Sequence, residues 1–565
     1  MTINWQILLP LSGLCVPLQN TRRRVALGER PSIMTEKMVS PELFRPPVDF
    51  PDMPYDHLLR QAAERHPDRV AIVYRQMSLT YREVVAMVNC IANGLRDLGL
   101  RKGDCLCIYT KNCPEYPLTF IAAASLGIVV SPIPPAYKDY EIRQQLEHME
   151  AKAILVQREL APILKRAIAQ KRYPDLQCVL ITGEQIPTEF PNAIPLARLL
   201  REQSPRFHAP VEISPDDLLA VPYSSGTTNL PKGIRLTHRN LVSNHLQFIS
   251  AMSLDTNDVA LLFPPLTHSY GIMLTGSFLA CGGTQVLMER FELMRSLELS
   301  AQYGVTYYFA VPSVVQFLAN APVDFSKLNS VKYIFSGALP LNAEKARELQ
   351  KNAGVQVVQG YGLTEASPLT HCPPREKAFQ RLASVGLPVH NSRHKIVDLK
   401  TGEHELPRGE IGELLVSGPQ VMQGYWKAPE ETERVLRNGW LYTGDVGYID
   451  ADGYTYIIDR KQDMIKYKGI DVAPAELEHL LLEHLAIIDA AVIGIPDEEA
   501  GELIKAFVVS AQELEVTAEE ILTFANERLT GSKRLHAVEF LDSLPKTASG
   551  KILRRELKER EQTLR

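Results

Sequence analysis

The stretch Leu218-Leu-Ala-Val-Pro-Tyr-Ser-Ser-Gly-Thr-Thr-Asn-Leu-Pro-Lys-Gly233 decides how the rest of the chain is read. Its apolar start, Leu218–Tyr223, has the composition of a strand. It runs into Ser224, Ser225, Gly226, Thr227 and Thr228, which allow close backbone approach and supply hydroxyl donors. Lys232 adds one cation. These are the groups a phosphate needs. A helix is predicted from His238. A Ser/Gly/Thr tract alone would read as a polar surface loop, but Pro231-Lys232-Gly233 favours the phosphate reading. The spacing G-x-x-x-x-G-K-[ST] is absent, so this is not the phosphate loop of GTPases.

Outward from this loop, short apolar β-rich runs alternate with amphipathic stretches, the pattern of an α/β fold. In residues 81–98, Val84, Val88, Ile91, Leu95 and Leu98 recur at steps of three and four and mark one apolar helix face. Gly99 and Gly103 follow as stop signals. Cys105–Tyr109 reads as a buried strand, and residues 114–126 as a helix with Pro in its first turn. Further strands are expected at Ala153–Val156, Cys178–Ile181, Val259–Phe263, Thr284–Leu287, Thr306–Ala310 and Lys332–Phe335. Residues 385–458 are Gly-rich with short β runs and read as a β-rich subdomain. The charged segment Asp459-Arg460-Lys461-Gln462-Asp463 separates this from a small α/β unit.

The predicted architecture is therefore a large multi-subdomain N-terminal α/β domain (34–458) that includes the β-rich subdomain. A hinge (459–463) joins it to a small mobile C-terminal α+β domain (464–565). Residues 1–33 read as a disordered leader. Their apolar run contains Pro10, Gly13 and Pro17 and precedes the basic Arg22-Arg23-Arg24, the reverse of a secretory signal.

With 565 residues, several subdomains are expected. A formal net charge of −5 argues against a nucleic-acid binder. The eight cysteines show no C-x-x-C pair and no ligand spacing, so they read as reduced thiols of a cytoplasmic protein. Nothing is long and apolar enough to span a membrane, which leaves at most peripheral contact. The sequence does not set the oligomeric state.

The loop at 223–233 resembles the phosphate-loop signature of the adenylate-forming enzymes: acyl-CoA synthetases, peptide-synthetase adenylation domains and luciferases. The family's usual Gly is Asn229 here, a residue that tolerates positive φ. Four further motifs follow in the family's order. Ser336-Gly-Ala-Leu-Pro340 is similar to the segment lining the adenine face, with Gly337 and Ala338. Gln359-Gly-Tyr-Gly-Leu-Thr-Glu365 supplies Gln359 and Gly360. It implies Tyr361 stacked on adenine, Thr364 at the α-phosphate and Glu365 on Mg²⁺, a cation that usually takes one or two carboxylates beside phosphates. Tyr442-Thr-Gly-Asp445 implies Asp445 on the ribose hydroxyls, with Arg460 beside it. Pro545-Lys-Thr-Ala-Ser-Gly-Lys551 implies Lys551 as the catalytic lysine bridging carboxylate and α-phosphate. A fifth segment, Ile465–Glu478, resembles the loop that enters the site for thioester formation, with Lys466, Lys468 and Gly469 against the adenylate phosphate or coenzyme A.

The resemblance implies an ATP-dependent, Mg²⁺-requiring ligase that makes an acyl-adenylate from a small carboxylic acid and passes the acyl group to coenzyme A. His268, in Pro264-Pro-Leu-Thr-His-Ser-Tyr-Gly271, would sit beside the carboxylate. Tyr270, Leu274, Phe335, Gly362 and Pro368 would line the acid. The motifs look most like 4-coumarate–CoA ligases, but the Lys that can meet a phenol in those enzymes is Phe335 here, and a frequent Ser is Leu274. Burying an unpaired hydroxyl would cost about 1–3 kcal/mol, so an apolar medium- or long-chain fatty acid is expected. The usual hinge Lys is Gln462, and a family Gln is Asp471. An aryl-CoA ligase, a ligase that loads a carrier protein, and a nucleotide-binding pseudoenzyme stay open as alternatives.

Overall fold

The computed structural model describes residues 45–169, 173, 175–207, 211–224, 231–375, 380–511, 516–546 and 550–564. The expected leader and the loop residues Ser225, Gly226, Thr227 and Thr228 lie outside the described residues.

Two largely parallel sheets carry the N-terminal region. In one, strands run in the order Gln356–Gln359, Tyr333–Ser336, Tyr307–Ala310, Val259–Leu262, Thr284–Leu287 and Val70–Tyr74, with Met77–Thr80 antiparallel at the edge. The other centres on Val129–Pro132, Cys105–Tyr109, Ala153–Val156 and Cys178–Ile181. Most of the central strands, such as Cys105–Tyr109 and Ala153–Val156, are apolar and buried along their length because both faces are covered, which makes them legible as continuous runs. Helices Tyr81–Asp97, Glu115–Ala124, His238–Met252 and Ser269–Cys281 join both sheets into one apolar core. The helix at 81 begins with a reciprocal cap between Thr80 and Glu83.

The helix predicted from His238 begins there, capped by Thr237. Between it and the phosphate loop, Lys232–Thr237 forms a strand that was not expected. Leu218–Tyr223 is likewise split, into Leu218–Ala220 and Tyr223–Ser224. Lys232 pairs with Ser224 and Gly233 with Tyr223, so the described residues that flank the loop run antiparallel, and a strand stands between the loop and the helix. Pro231 and Gly233 look like breakers in sequence. Further partners of this strand are Ala220 and Leu218 and, from far away in sequence, Tyr425 and Gly424, which pair with Ile234 and Arg235.

The β-rich subdomain is antiparallel: Arg393–Val397, Gly412–Ser417, Trp440–Ile449 and Thr455–Arg460. Asp459 and Arg460 of the charged segment finish the last of these strands. The chain then passes over residues 461–464 into a second sheet, built from Ile465–Tyr467, Ile470–Val472, Ile487–Asp497, Gly501–Ser510 and Ala537–Phe540. Helices Pro474–Leu481, Ala518–Asn526 and Arg554–Leu564 accompany it. Among the described residues no helix is long and apolar enough to cross a membrane.

Candidate active site

The parallel strands Tyr333–Ser336 and Gln356–Gln359 end at a cleft of about 1070 Å³. This is where an open α/β sheet places ligands, beyond the carboxyl ends of its strands. The other wall comes from the strands flanking the phosphate loop, from the start of the helix Ser269–Cys281, and from the β-rich subdomain. Lys551 and Leu553 of the C-terminal unit close one side.

Tyr361 lines the cleft and is held at its tip. Its hydroxyl donates to Asp445 Oδ2 at 2.5 Å, and Arg460 Nε lies 2.6 Å from Asp445 Oδ1. Asp445 is 3% exposed, and burial pushes its carboxyl up while Arg460 opposes the shift. Asp445 and Arg460 face each other across adjacent strands, so sheet register builds the pair.

Thr364 and Glu365 form a short turn behind Tyr361. Thr364 Oγ1 shares a hydrogen bond with Ser269 Oγ at 3.1 Å, and Glu365 Oε1 accepts from the Tyr425 hydroxyl at 3.1 Å. Ser224 and Lys232 line the cleft opposite, with Lys232 Nζ 5.0 Å from the centre of the Tyr425 ring.

His268 caps the helix Ser269–Cys281, its Nδ1 accepting from Tyr270 N–H at 3.2 Å. Its ring is exposed to the cleft, and desolvation by the surrounding walls lowers its pKa. The neutral ring then carries its hydrogen on Nε2, which makes it a donor.

The inner end of the cleft is aromatic. Phe335 packs against Phe248 and Phe309 at 5.4 and 5.9 Å between ring centres, and against Tyr270 at 6.4 Å. The Tyr270 hydroxyl is spent on the Phe335 carbonyl at 3.2 Å. Gly360 lies so close to Phe335 that a Cβ there would stand 2.4 Å from the ring. Gly337, Ala338, Gly362 and Pro368 complete this end.

Lys551 reaches the cleft through a loop anchored at Arg554. That guanidinium lies 2.7 Å from Glu478 and 3.7 Å from Asp463. Burial, with Arg460 adding to it, lowers the Lys551 pKa, while Asp463 and Asp445 oppose.

Asp445 does not itself line the cleft but bonds Tyr361 and Arg460, which do, and five other expected residues fall elsewhere. Leu274 is fully buried in its helix and does not line the cleft; its neighbour Met273 does. Helical rotation of about 100° per residue explains the exchange. Gln359 is buried, with Oε1 accepting from Leu341 N–H at 3.1 Å, so it braces the Ser336–Pro340 turn and does not face a ligand. Lys466, Lys468 and Gly469 are exposed on the hairpin Ile465–Val472 and are not among the cleft residues. Conversely, Tyr425 and Ser269 enter the site without having been singled out. Gly424-Tyr425-Trp426 carries no diagnostic spacing, and only its pairing with the strand after the phosphate loop brings it there.

One carboxylate beside a hydroxyl and a lysine suits a magnesium ion that arrives on a nucleotide, since such an ion takes most of its ligands from phosphate and water. Among the described residues no cluster of three His, Cys, Asp or Glu side chains could hold a metal by itself.

The sequence profile of the AMP-binding enzyme family matches residues 59–426, and that of the AMP-binding enzyme C-terminal domain matches residues 476–551. A 4-coumarate-CoA ligase of Narcissus pseudonarcissus is 36% identical over 545 residues, covering 94% of this chain and 98% of that protein. Among solved structures, an anthranilate CoA ligase in complex with anthranoyl-AMP superposes with a TM-score of 0.83 at 26% identity, over 91% of this chain and 98% of that one. A Mycobacterium tuberculosis fatty acyl CoA synthetase gives 0.71 at 29% identity, over 90% and 99%.

Proposed function

Since this chain belongs to the AMP-binding enzyme family and carries that family's C-terminal domain, we propose that it joins an apolar carboxylic acid to coenzyme A through an acyl-adenylate. The observation that carries this reading is the convergence of Lys551, Thr364–Glu365, Lys232 and the Tyr361–Asp445–Arg460 group on one cleft.

A carboxylate is a poor acylating agent because its oxygen is a poor leaving group. In the first step a carboxylate oxygen attacks the α-phosphorus of ATP. The bond to the β-phosphate oxygen breaks and pyrophosphate leaves. Three anionic groups must meet, so the protein's work is charge neutralisation and alignment. Lys551 and Lys232 bring positive charge, and Tyr361, Asp445 and Arg460 hold the nucleoside. Neutral His268 offers Nε2–H to the acid. Glu365 would hold a magnesium ion bound with the nucleotide, and that ion would supply further neutralisation. In the second step the coenzyme A thiolate attacks the acyl carbon and AMP leaves, with Lys466, Lys468 and Gly469 serving that step after the C-terminal domain turns about residues 459–463.

We read the acid as a fatty acid. Phe335 removes the cation that could meet a phenol, and Leu274 now contributes nothing to this argument because it faces the core. An aryl acid is the second reading, favoured by the 4-coumarate-CoA ligase relative. A coupled assay of AMP release over aliphatic acids of increasing length and over cinnamates, with and without coenzyme A, tests both readings. Cinnamates far outpacing every aliphatic acid would remove the fatty-acid reading. AMP release that never requires coenzyme A would point to a different acceptor.

A further inference from the structure

Lys232 and Glu365 carry opposite charge and line the same cleft, yet among the described residues no ion pair joins them. One side chain touches both. The Tyr425 hydroxyl donates to Glu365 Oε1 at 3.1 Å, and the Lys232 ammonium lies over the Tyr425 ring at 5.0 Å.

The position of Tyr425 is fixed by its backbone. The strand Gly424–Tyr425 pairs with Ile234–Arg235, in the arm after the phosphate loop, which carries Lys232. Tyr425 N–H donates to Thr432 Oγ1 at 2.8 Å, and Trp426 N–H donates to the Gly233 carbonyl at 2.7 Å. Three residues earlier, Met422 N–H donates to the Glu365 carbonyl at 2.8 Å. One segment therefore ties the lysine arm and the carboxylate turn to a common frame.

Without an intervening group, a lysine and a glutamate sharing a cleft would neutralise each other, and each would be lost to an incoming nucleotide. A phenol prevents this without adding charge. Its hydroxyl satisfies one carboxylate oxygen and fixes the carboxylate plane, and its face attracts the ammonium.

We infer that Tyr425 is a positioning residue that holds Glu365 and Lys232 apart, so that the carboxylate stays available to a nucleotide-bound divalent cation and the lysine to the phosphates. The inference rests on the adenylating reading of the cleft.

Calorimetric titration of the full chain with ATP, once with Mg²⁺ and once with EDTA, separates the two roles. Tyr425→Phe keeps the ring and loses the hydroxyl. It is expected to weaken Mg²⁺–ATP binding by roughly tenfold, the scale of one hydrogen bond to a charged group, and to leave metal-free ATP binding within about twofold. Tyr425→Ala also lets Lys232 reach Glu365, so metal-free binding should fall by roughly tenfold as well. Adding Glu365→Gln to Tyr425→Ala should then restore metal-free binding, which a merely damaged fold would not allow. Unchanged Mg²⁺–ATP affinity in Tyr425→Phe overturns the inference, as does a double variant that stays weak without metal. Should Tyr425→Ala fail to fold, Tyr425→Phe decides alone. A wild-type protein that binds no ATP in either condition refutes the adenylating reading itself.

Discussion

The loop that ends at Lys551 and the hairpin that carries Lys466 and Lys468 belong to the same C-terminal unit, yet only the first reaches the cleft. Lys551 is largely desolvated there, near Arg460, Asp445 and Asp463. On the hairpin, Lys466 and Lys468 are exposed. Their backbone N–H groups donate to Glu502 Oε2 and to the Ala500 carbonyl, both at 2.7 Å, so they are fixed to their own domain. A rigid domain that presents one loop to the cleft keeps the other away. The arrangement seen therefore equips the cleft for joining carboxylate to nucleotide, and a second arrangement would be needed to bring the hairpin in.

The sharpest attempt to break this contrast separates the two half-reactions. Lys551→Ala should lower acid-dependent exchange of pyrophosphate into ATP by roughly 10²–10³-fold, the usual scale for losing one transition-state charge donor. Thioester formation from supplied acyl-adenylate should stay within a few-fold of wild type. Lys468→Ala should do the opposite. Equal losses in both assays for either variant would show that the two loops do not divide the work.

A smaller effect comes from pH. Burial disfavours the charged form of Lys551, so its pKa lies below that of an ordinary lysine, whereas the role proposed for it in adenylation needs the charge. As pH rises through that lowered pKa the ammonium is lost, and exchange should decline on the alkaline side earlier than an unperturbed lysine would allow. Lys551→Arg stays charged throughout, so its residual activity should keep a flatter alkaline limb. The thioester step measured alone should lack the Lys551 limb altogether. An alkaline limb identical in wild type and Lys551→Arg would assign the titration to another group.

How far the sequence foretold this contrast varies with the range of the contacts involved. The buried strands Cys105–Tyr109, Ala153–Val156, Cys178–Ile181 and Thr284–Leu287 fall where their apolar runs predict, because both faces of a parallel sheet ask for the same residues. The motif that carries Gly550 and Lys551 was also legible, through its resemblance to the family's C-terminal lysine motif. The strand Lys232–Thr237 was not, since Pro231 and Gly233 read as breakers and one of its partners, Gly424–Tyr425, lies nearly two hundred residues away in sequence. Tyr425 was missed because of that same distance. Leu274 was misplaced for a different one: a motif fixes spacing along a helix, but the packing of that helix against both sheets decides which of two neighbours faces the cleft. Which lysine loop occupies the cleft is a property of domain orientation, and no local pattern encodes that.

The smallest effect sharpens the comparison most, because both loops turn on a glycine with positive φ. Gly550 has φ +86° and Gly469 φ +79°. Alanine at either position costs roughly 1–2 kcal/mol in backbone conformation, or about 5–30-fold in a step that needs the loop intact. At Gly550 a new Cβ would stand 3.7 Å from Leu339 Cδ1, an ordinary contact, so Gly550→Ala should slow adenylation by the backbone cost alone. At Gly469 nothing lies within 4 Å of a new Cβ, so Gly469→Ala should leave pyrophosphate exchange unchanged and slow only thioester formation. If that slowing matches the Gly550→Ala loss, the glycine serves its turn. If it is much larger, a thin thiol arm passes against the Gly469 Cα in the second arrangement. A loss of exchange in Gly469→Ala would mean that the hairpin already acts in the first step, and the division between the two loops would fail.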